Sequence, residues 1–429
     1  MSAQQRSVVA ILRRSVRAGM CVLVVALSAA TMVIGLVPAA HAQTFQVLHN
    51  FTQGADGYWP ATGVAIDRAG NLYGISQGGT NNYGGVVFKM SRRGSSWIFT
   101  PIHNFVRTEG VQPAGITIGP DGNVYGANAL GGGMGCGTNG CGTVFKLSPP
   151  ARFCADLNCP WPATVLYTFG GGSDGFDPRA AVIFDLAGNL YGTTFYGGDN
   201  NYCCGVAYEL SHAGGTWAFN VLHAFGQLGD GFYPQAPVIL DDAGNLYGTT
   251  EQGGTANQGT VFQMSPSPSR WNETLLWSFL GSPDGATALG GVVVDPAGNV
   301  YSTTYYGGSS MSCGSYGCGT VSAVSPANGG WTETVLHSFD LSNGDGWPQA
   351  GLTMDAAGNL YGTTFRNPGS VFKLTPTNGG WIYTILHEFQ GYDGLNPTST
   401  VAIDADGNLY GTTSGGGANS YGVVWEITP

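Results

Sequence analysis

One decapeptide, Asp-x-Ala-Gly-Asn-Leu-Tyr-Gly-Thr-Thr, recurs through this chain and limits what it can fold into. Near-complete copies occupy Asp185–Thr194, Asp241–Thr250, Asp355–Thr364 and Asp404–Thr413, and drifted copies occupy Asp67–Ser76, Gly119–Asn128 and Asp295–Thr304. Seven copies spaced 49 to 66 residues apart describe one supersecondary unit built seven times. Around each copy lie four short apolar segments. In the third unit these are Ala180–Asp185, Asn189–Thr194, Gly205–Ser211 and Trp217–Phe225. They are rich in Val, Leu, Tyr, Phe, Trp and Thr, and Gly, Asn, Asp or Pro bound them, which is the pattern of strands joined by tight turns. The Asp-x-Ala-Gly-Asn segment reads as the hairpin turn between the first two strands. Its Asp can bond the backbone two residues on, and its Gly accepts positive φ. A calcium or catalytic loop is the other reading of the motif, but the hairpin accounts for every residue in it.

Four strands in about 55 residues cannot bury both faces alone, whereas radially arranged four-stranded sheets bury one another. The expected fold is all-β: a seven-bladed β-propeller over 43–429, in one domain. The ends of the chain sharpen this. The seventh unit stops at its third strand, Val423–Pro429, while Phe45–Phe51 has the pattern of the missing fourth. The N-terminal strand is therefore expected to complete the last blade, closing the ring and removing two sheet edges.

Residues 1–42 read as a signal peptide. Arg6, Arg13, Arg14 and Arg17 precede the apolar run Met20–Val37, and Ala40-His41-Ala42 forms an A-x-A cleavage site. Cys21 lacks a lipobox, and Arg13-Arg14 is only a fragment of a twin-arginine signal. Of 15 Lys and Arg, four fall in this segment, leaving 11 basic against 26 acidic residues, a formal charge of −15. Nucleic acid and anionic membrane surfaces are disfavoured as partners by that charge. The expected product is secreted or periplasmic, free of the membrane after cleavage, and monomeric.

Eight cysteines follow residue 42. Cys136/Cys141, Cys154/Cys159 and Cys313/Cys318 are C-x4-C pairs, and Cys203 and Cys204 are adjacent. Zinc is the competing reading. Export and the lack of neighbouring His favour disulfides within each pair.

Five of the seven histidines share one repeat position: His49, His103, His223, His337 and His387, with Tyr167 and Trp277 in the other two units. Spread over different blades, they read as a half-buried ring and not as a metal site. Trp97, Trp161, Trp217, Trp271, Trp331 and Trp381 read as blade-to-blade packing.

In an up-and-down blade the connection from the fourth strand to the next blade and the loop between the second and third strands lie at the same end. The first of these carries Asp-Gly-x-x-Pro, with Asp56, Asp174, Asp230, Asp284, Asp345 and Asp393, and Glu109 in the second unit. Aromatics crowd the same loops: Tyr58, Trp59, Phe176, Tyr196, Phe232, Tyr233, Tyr305, Tyr306 and Trp347. Aromatic faces beside carboxylates suit sugar rings. The bland alternative is that Asp-Gly nucleates turns and the aromatics fill the space between blades. The candidate ligand-binding set is Asp56, Trp59, Asp174, Phe176, Tyr196, Asp230, Tyr233, Tyr305, Tyr306, Asp345, Trp347 and Asp393. No alternating-Asp calcium loop, no paired catalytic carboxylates and no nucleophile with its base stand out, so no catalytic residue, metal or cofactor is assigned.

The segments Leu190–Thr194, Gly197-Gly198 and Gly205-Val206, with Leu246–Thr250, Gly253-Gly254 and Gly259–Phe262, resemble the GloVer (Gloeobacter/Verrucomicrobia) tandem repeat, across essentially all of 45–429. The resemblance implies an exported bacterial protein and supplies no catalytic residues. Ser302 replaces Gly and Ala127-Asn128 replaces Thr-Thr, and the C-terminal anchor common in that family does not follow. The Asp-x-x-Gly-Asn-Leu-Tyr core is also similar to the NHL repeat, which supports the propeller. The functional expectation is a scaffold that binds an extracellular polysaccharide or protein on its loop-rich face. An extracellular hydrolase or lyase with its site at the channel mouth, and a structural cell-surface protein, are the alternatives.

Overall fold

Each repeat forms an antiparallel four-stranded sheet, and there are seven of them. The computed structural model describes residues 43–429 except 80–83, 134, 151–158, 199–202, 269 and 366–367. The signal peptide expected over 1–42, and Cys154, lie outside the described residues. Phe45–Thr428 is one compact unit. Among the described residues the helical segments are three short 3-10 turns, and none is long and apolar enough to cross a membrane.

We letter the strands of a blade a to d, outward from the central channel. In blade three they are Ile183–Phe184, Leu190–Thr194, Val206–Ala213 and Thr216–Ala224. Blade seven is Ala402–Ile403, Leu409–Thr413, Val423–Thr428 and, as its outermost strand, Thr44–Asn50. The ring is thus closed by the N-terminal strand. Outside blade two, where it runs Val111–Ile118, strand a pairs over two residues, fewer than its apolar run suggested, because its first half serves the neighbouring blade instead. The carbonyls of Ala236, Gly290, Ala350, Ser399 and Thr62 accept hydrogen bonds from Thr193, Thr249, Thr303, Thr363 and Thr412 of the preceding blade. The first Thr of the repeat is therefore a clasp between blades.

The other motif residues are equally committed. The leading Asp of the hairpin, for example Asp241, accepts from the backbone of Ala243 and Asn245, from the Asn245 amide and from the Tyr247 hydroxyl. The Gly after Tyr lies opposite a strand-c aromatic, as Gly248 opposes Phe262. A Cβ there would sit 2.6 Å from the Phe262 ring, so glycine lets the ring lie flat across strand b. Strand-d tryptophans lie edge-on to the repeat tyrosine of the preceding blade: Trp97 on Tyr410, Trp161 on Tyr73, Trp271 on Tyr191 and Trp381 on Tyr301, at 5.8–6.0 Å. Apolar clusters accordingly straddle consecutive blades. One joins Phe51, Leu72 and Phe88 to Tyr410 and Val424 across the closure.

Disulfides join Cys136 to Cys141, Cys203 to Cys204 and Cys313 to Cys318. Cys159 is also disulfide-bonded. The cysteines described in these four pairs are thus oxidised, which fits an extracellular-type protein.

Candidate functional site

The loops expected to share one end of the propeller do meet there. The d–a connection pairs with the following b–c loop at Tyr58 with Gln77, Phe176 with Tyr196 and Leu395 with Gly415. Short two-stranded ladders do the same at Gly231–Phe232 with Gln252–Gly253 and at Gly285–Ala286 with Tyr306–Gly307.

The acids of this face and the histidines of strand d turn out to be one ring of pairs. His49 Nε2 lies 3.1 Å from Asp56 Oδ2, His103 3.0 Å from Glu109, His223 2.9 Å from Asp230, and His387 2.9 Å from Asp393. The Tyr167 hydroxyl and Trp277 Nε1 donate to Asp174 and Asp284 in the same way, and His337 is 3.7 Å from Asp345. Each carboxylate also accepts backbone amides of its turn, as Asp56 does from Thr52 and Gly54. Asp56, Asp230, Asp345 and Asp393 are buried, each less than a tenth exposed, while Asp174 is half-buried. These acids therefore tie the end of strand d to the turn that follows it. The repeated spacing of six to eight residues between the two sets was visible in the sequence, where the rings were read separately.

Burial pulls His49 and His387 below the usual histidine range despite their acids. At His223 burial acts the same way but Asp230 and Glu273 outweigh it, and the pKa is raised.

The aromatics are placed differently. In every blade one residue on the way into strand a, six before its first paired residue except in blade two, has left-handed backbone geometry: Trp59, Gln112, Asp177, Tyr233, Thr287, Trp347 and Asn396, with φ between 50° and 63°. Such a conformation costs a non-glycine residue of order 1–3 kcal/mol and persists where its surroundings over-determine it. Here they do. The Tyr233 amide donates to the Cys204 carbonyl of the blade before, and its own carbonyl accepts from Glu251. Trp347 makes the equivalent bonds to Cys318 and Phe365. Asp177, Thr287 and Asn396 are bonded through amide and carbonyl in the same way, while the Trp59 and Gln112 amides donate to the Tyr421 and Gly84 carbonyls.

Three aromatic groups result. Across blades three and four, Phe176 stacks on Tyr196 at 5.0 Å and Phe195 on Tyr233 at 4.9 Å. The Arg179 guanidinium lies 3.5 Å over the Phe195 ring and is held by Asp177 at 2.7 Å. Across blades five and six, Tyr305 packs edge-on to Tyr306 at 4.6 Å and stacks on Trp347 at 6.0 Å. Trp59 stands on Tyr58 at 5.0 Å and is 55% exposed. Between these groups opens the channel, a cavity of about 300 Å³. Small residues line most of it, with Arg179, Gln235, Gln349 and Thr398 supplying polar groups; Arg179 is the charged side chain of the lining. Beside the mouth Gln235 Nε2 donates to Glu251 at 3.1 Å. Burial raises the Glu251 pKa against the opposing pull of Arg179. Aromatic platforms around a rim of amide and guanidinium donors can stack a ring and bind hydroxyl or carboxylate oxygens.

Among known families, the one described as the Gloeobacter/Verrucomicrobia repeat matches residues 33–155, 134–366 and 308–429. No curated protein sequence matches. In structure the chain is similar to the extracellular domain of a protein named as a hybrid two-component system from B. thetaiotaomicron, at 12% identity over 90% of this chain and 41% of that one, with a TM-score of 0.52. It is also similar to a Bacteroides uniformis protein named as a 6-phosphogluconolactonase, at 14% identity over 80% of this chain and 88% of that one, with a TM-score of 0.50. The chain therefore spans less than half the length of the first. At such identities both likenesses concern the fold.

Proposed function

The chain belongs to the Gloeobacter/Verrucomicrobia repeat family, and we propose that it is a binding scaffold of the extracytoplasmic space that takes a polysaccharide on its channel-mouth face. The observation that carries this reading is the ring of left-handed positions. Three of the seven hold Trp59, Tyr233 and Trp347, Tyr233 and Trp347 on backbone bonded through amide and carbonyl and Trp59 on backbone bonded through its amide, and a side chain on backbone held in this way loses little further freedom on binding. The donors Arg179, Gln235 and Gln349 lie between the aromatic groups, which suits a hydroxyl-rich or carboxylate-bearing sugar. The ordering of roles differs from a simple acid-and-aromatic face. The aromatics and the mouth donors contact the ligand, and the buried acids hold the loops that present them.

The test is a glycan array on the purified, oxidised protein, with and without calcium, followed by titration of any sugar class retained. Binding that is lost in W59A and W347A at unchanged Tm supports the reading. Silence across a broad array, or binding indifferent to both substitutions, overturns it and leaves a protein ligand to be sought.

One observation favours a second reading, a polysaccharide hydrolase or lyase. Glu251 is a half-buried carboxyl with a raised pKa at the channel mouth, the property of a general acid. Release of reducing ends or unsaturated products from a polysaccharide panel, abolished in E251Q, would establish it.

A further inference from the structure

Strand d carries a second inter-blade contact besides its tryptophan. Two residues after the Trp position, a ring covers the His or Tyr of the preceding blade. Phe45 stacks on His387 at 3.6 Å, Phe99 on His49 at 3.9 Å, Phe219 on Tyr167 at 4.1 Å, and Tyr383 on His337 at 3.9 Å. At the other three seams the ring is missing: Ala163 stands at its position in blade two, Glu273 in blade four and Glu333 in blade five, and the seam between blades three and four sets a carboxylate against a histidine. His223 and its partner Asp230 are retained, but the residue that should cover the imidazole is Glu273. A repeat protein gains nothing in packing from exchanging a buried ring for a carboxylate. Where the facing residue is a histidine, however, the carboxylate can gain a partner that a ring could not.

The geometry supplies one. His223 Nε2 lies 2.9 Å from Asp230 Oδ2 and 3.6 Å from Glu273 Oε2, and one ligand atom from each residue falls within 4.8 Å of the others. Donors about 2.1 Å from a zinc-like ion stand about 3.0–3.5 Å apart. Glu273 Oε1 is buried and accepts no hydrogen bond, so the carboxylate has a second oxygen to offer. Asp230 is oriented from behind by the amides of Gly226 and Gly231, as outer partners orient metal ligands. Two carboxylates side by side in a half-buried site require a positive charge or a shared proton.

We propose that His223, Asp230 and Glu273 bind a divalent transition-metal ion, of the zinc or manganese class, at the outer seam of blades three and four. One imidazole nitrogen with two carboxylates selects this class over calcium and magnesium, which prefer all-oxygen shells. The ion takes the place of the missing ring stack by cross-linking the outer strands of the two blades. Neutral His223 binds through Nε2 with its proton on Nδ1, and the two carboxylates balance the charge of the ion. The site is separate from the channel-mouth face and stands or falls independently of the function proposed there. Blade five provides an internal control. Glu333 occupies the same position as Glu273, but the residue facing it across the seam is Trp277, whose indole N–H donates to Asp284 and offers no lone pair.

The experiment uses tag-free protein stripped with chelator and titrated with Zn²⁺ and Mn²⁺ by calorimetry, with Tm recorded at each metal concentration. Expected are one equivalent bound and a Tm that rises with metal concentration, as ligand linkage requires. E273Q should lower affinity at least tenfold, and E333Q should leave it unchanged. E273F, which restores the ring found at this position in other blades, keeps the fold testable: it should melt at or above the stripped protein and lose the metal response. Absence of one-equivalent binding, or binding insensitive to E273Q and E273F, overturns the proposal.

Discussion

Ser302 of strand b faces Ser322 of strand c in blade five, at the register where every other blade opposes a glycine with an aromatic ring. The two departures compensate each other. A Cβ on the glycine would meet the ring at 2.3 Å for Gly74 with Phe88, 2.5 Å for Gly362 with Phe372, and 2.3 Å for Gly411 with Trp425. Once strand b carries a side chain, strand c must give up its ring. S322F alone should therefore be destabilising by about 1–3 kcal/mol through overpacking, and S302G alone should loosen the site. The double variant S302G/S322F should recover most of the loss. A double-mutant cycle in urea measures this, and additive single effects would contradict direct opposition of the two side chains.

The closing strand sets the integrity of the ring. Phe45 and Val47 pack against the core that holds Trp425 and Val423, and Phe51 sits in the next one. Glu426, fully buried, is bonded by Gln46 of that strand and by Tyr410. Removing residues 43–51 would bare the edge of Val423–Thr428 together with this carboxylate. The truncated protein is expected to aggregate or to melt without cooperativity, as read by size exclusion and calorimetry. A melt unchanged from the parent would show that the last blade does not need its outer strand.

Acidification should loosen the same seam. His49 and His387 have pKa values lowered in the fold, chiefly by burial. The unfolded chain takes up these protons near pH 6.5, the folded chain only at lower pH. Each therefore contributes stability above pH 6.5 that is lost as the pH falls through the folded value. In the metal-free protein His223, with its pKa raised, contributes in the opposite sense: its stabilisation is complete below pH 6.5 and is lost as pH rises through its folded value. Glu273, pushed up to about 8 chiefly by burial, acts in the same sense as His223, so two groups oppose two and the informative quantity is the difference between parent and variant. Between pH 7 and pH 5.5 the double variant H49Q/H387Q should lose less Tm, or gain more, than the parent. An equal slope in parent and variant would show that neither histidine contributes.

How far the sequence carried the fold is plain from these residues. Repeat spacing, hairpin turns and complementary ends were all local patterns, and they led to seven blades and to the closing strand. The candidate site was less legible because its key properties are relations between blades. The spacing of His49 to Asp56 recurs in the chain, but only the fold shows the pair bonded and the acid turned inward. The left-handed conformation of Trp59, Tyr233 and Trp347 depends on carbonyls more than 15 residues away in the preceding blade or in the closing one. Glu273 belongs to no motif, and only the fold sets it against His223.

Blade two tests whether these motif positions can be exchanged. Gly119 stands where other hairpins have their leading Asp, and Asp121 supplies the carboxylate instead. It accepts from the Tyr125 hydroxyl at 2.8 Å, from the Asn123 amide nitrogens, and from Lys146 at 3.0 Å. Burial alone would raise its pKa, but these donors bring it down to about 2. Its stabilising contribution is therefore present above the ordinary Asp value and is lost as the pH falls toward 2. D121A should cost about 1–2 kcal/mol, less than a fully buried charged hydrogen-bond network would, because the carboxylate is partly in water. The variant G119D/D121A rebuilds the repeat's own turn: the new Asp can cap the amides of residues 121 and 123 and reach Tyr125, as Asp241 does for residues 243, 245 and 247. It should regain most of the stability in a denaturant melt while losing the Lys146 contact. Failure to recover would mean that blade two has adapted its hairpin to Asp121 beyond the placement of one carboxylate.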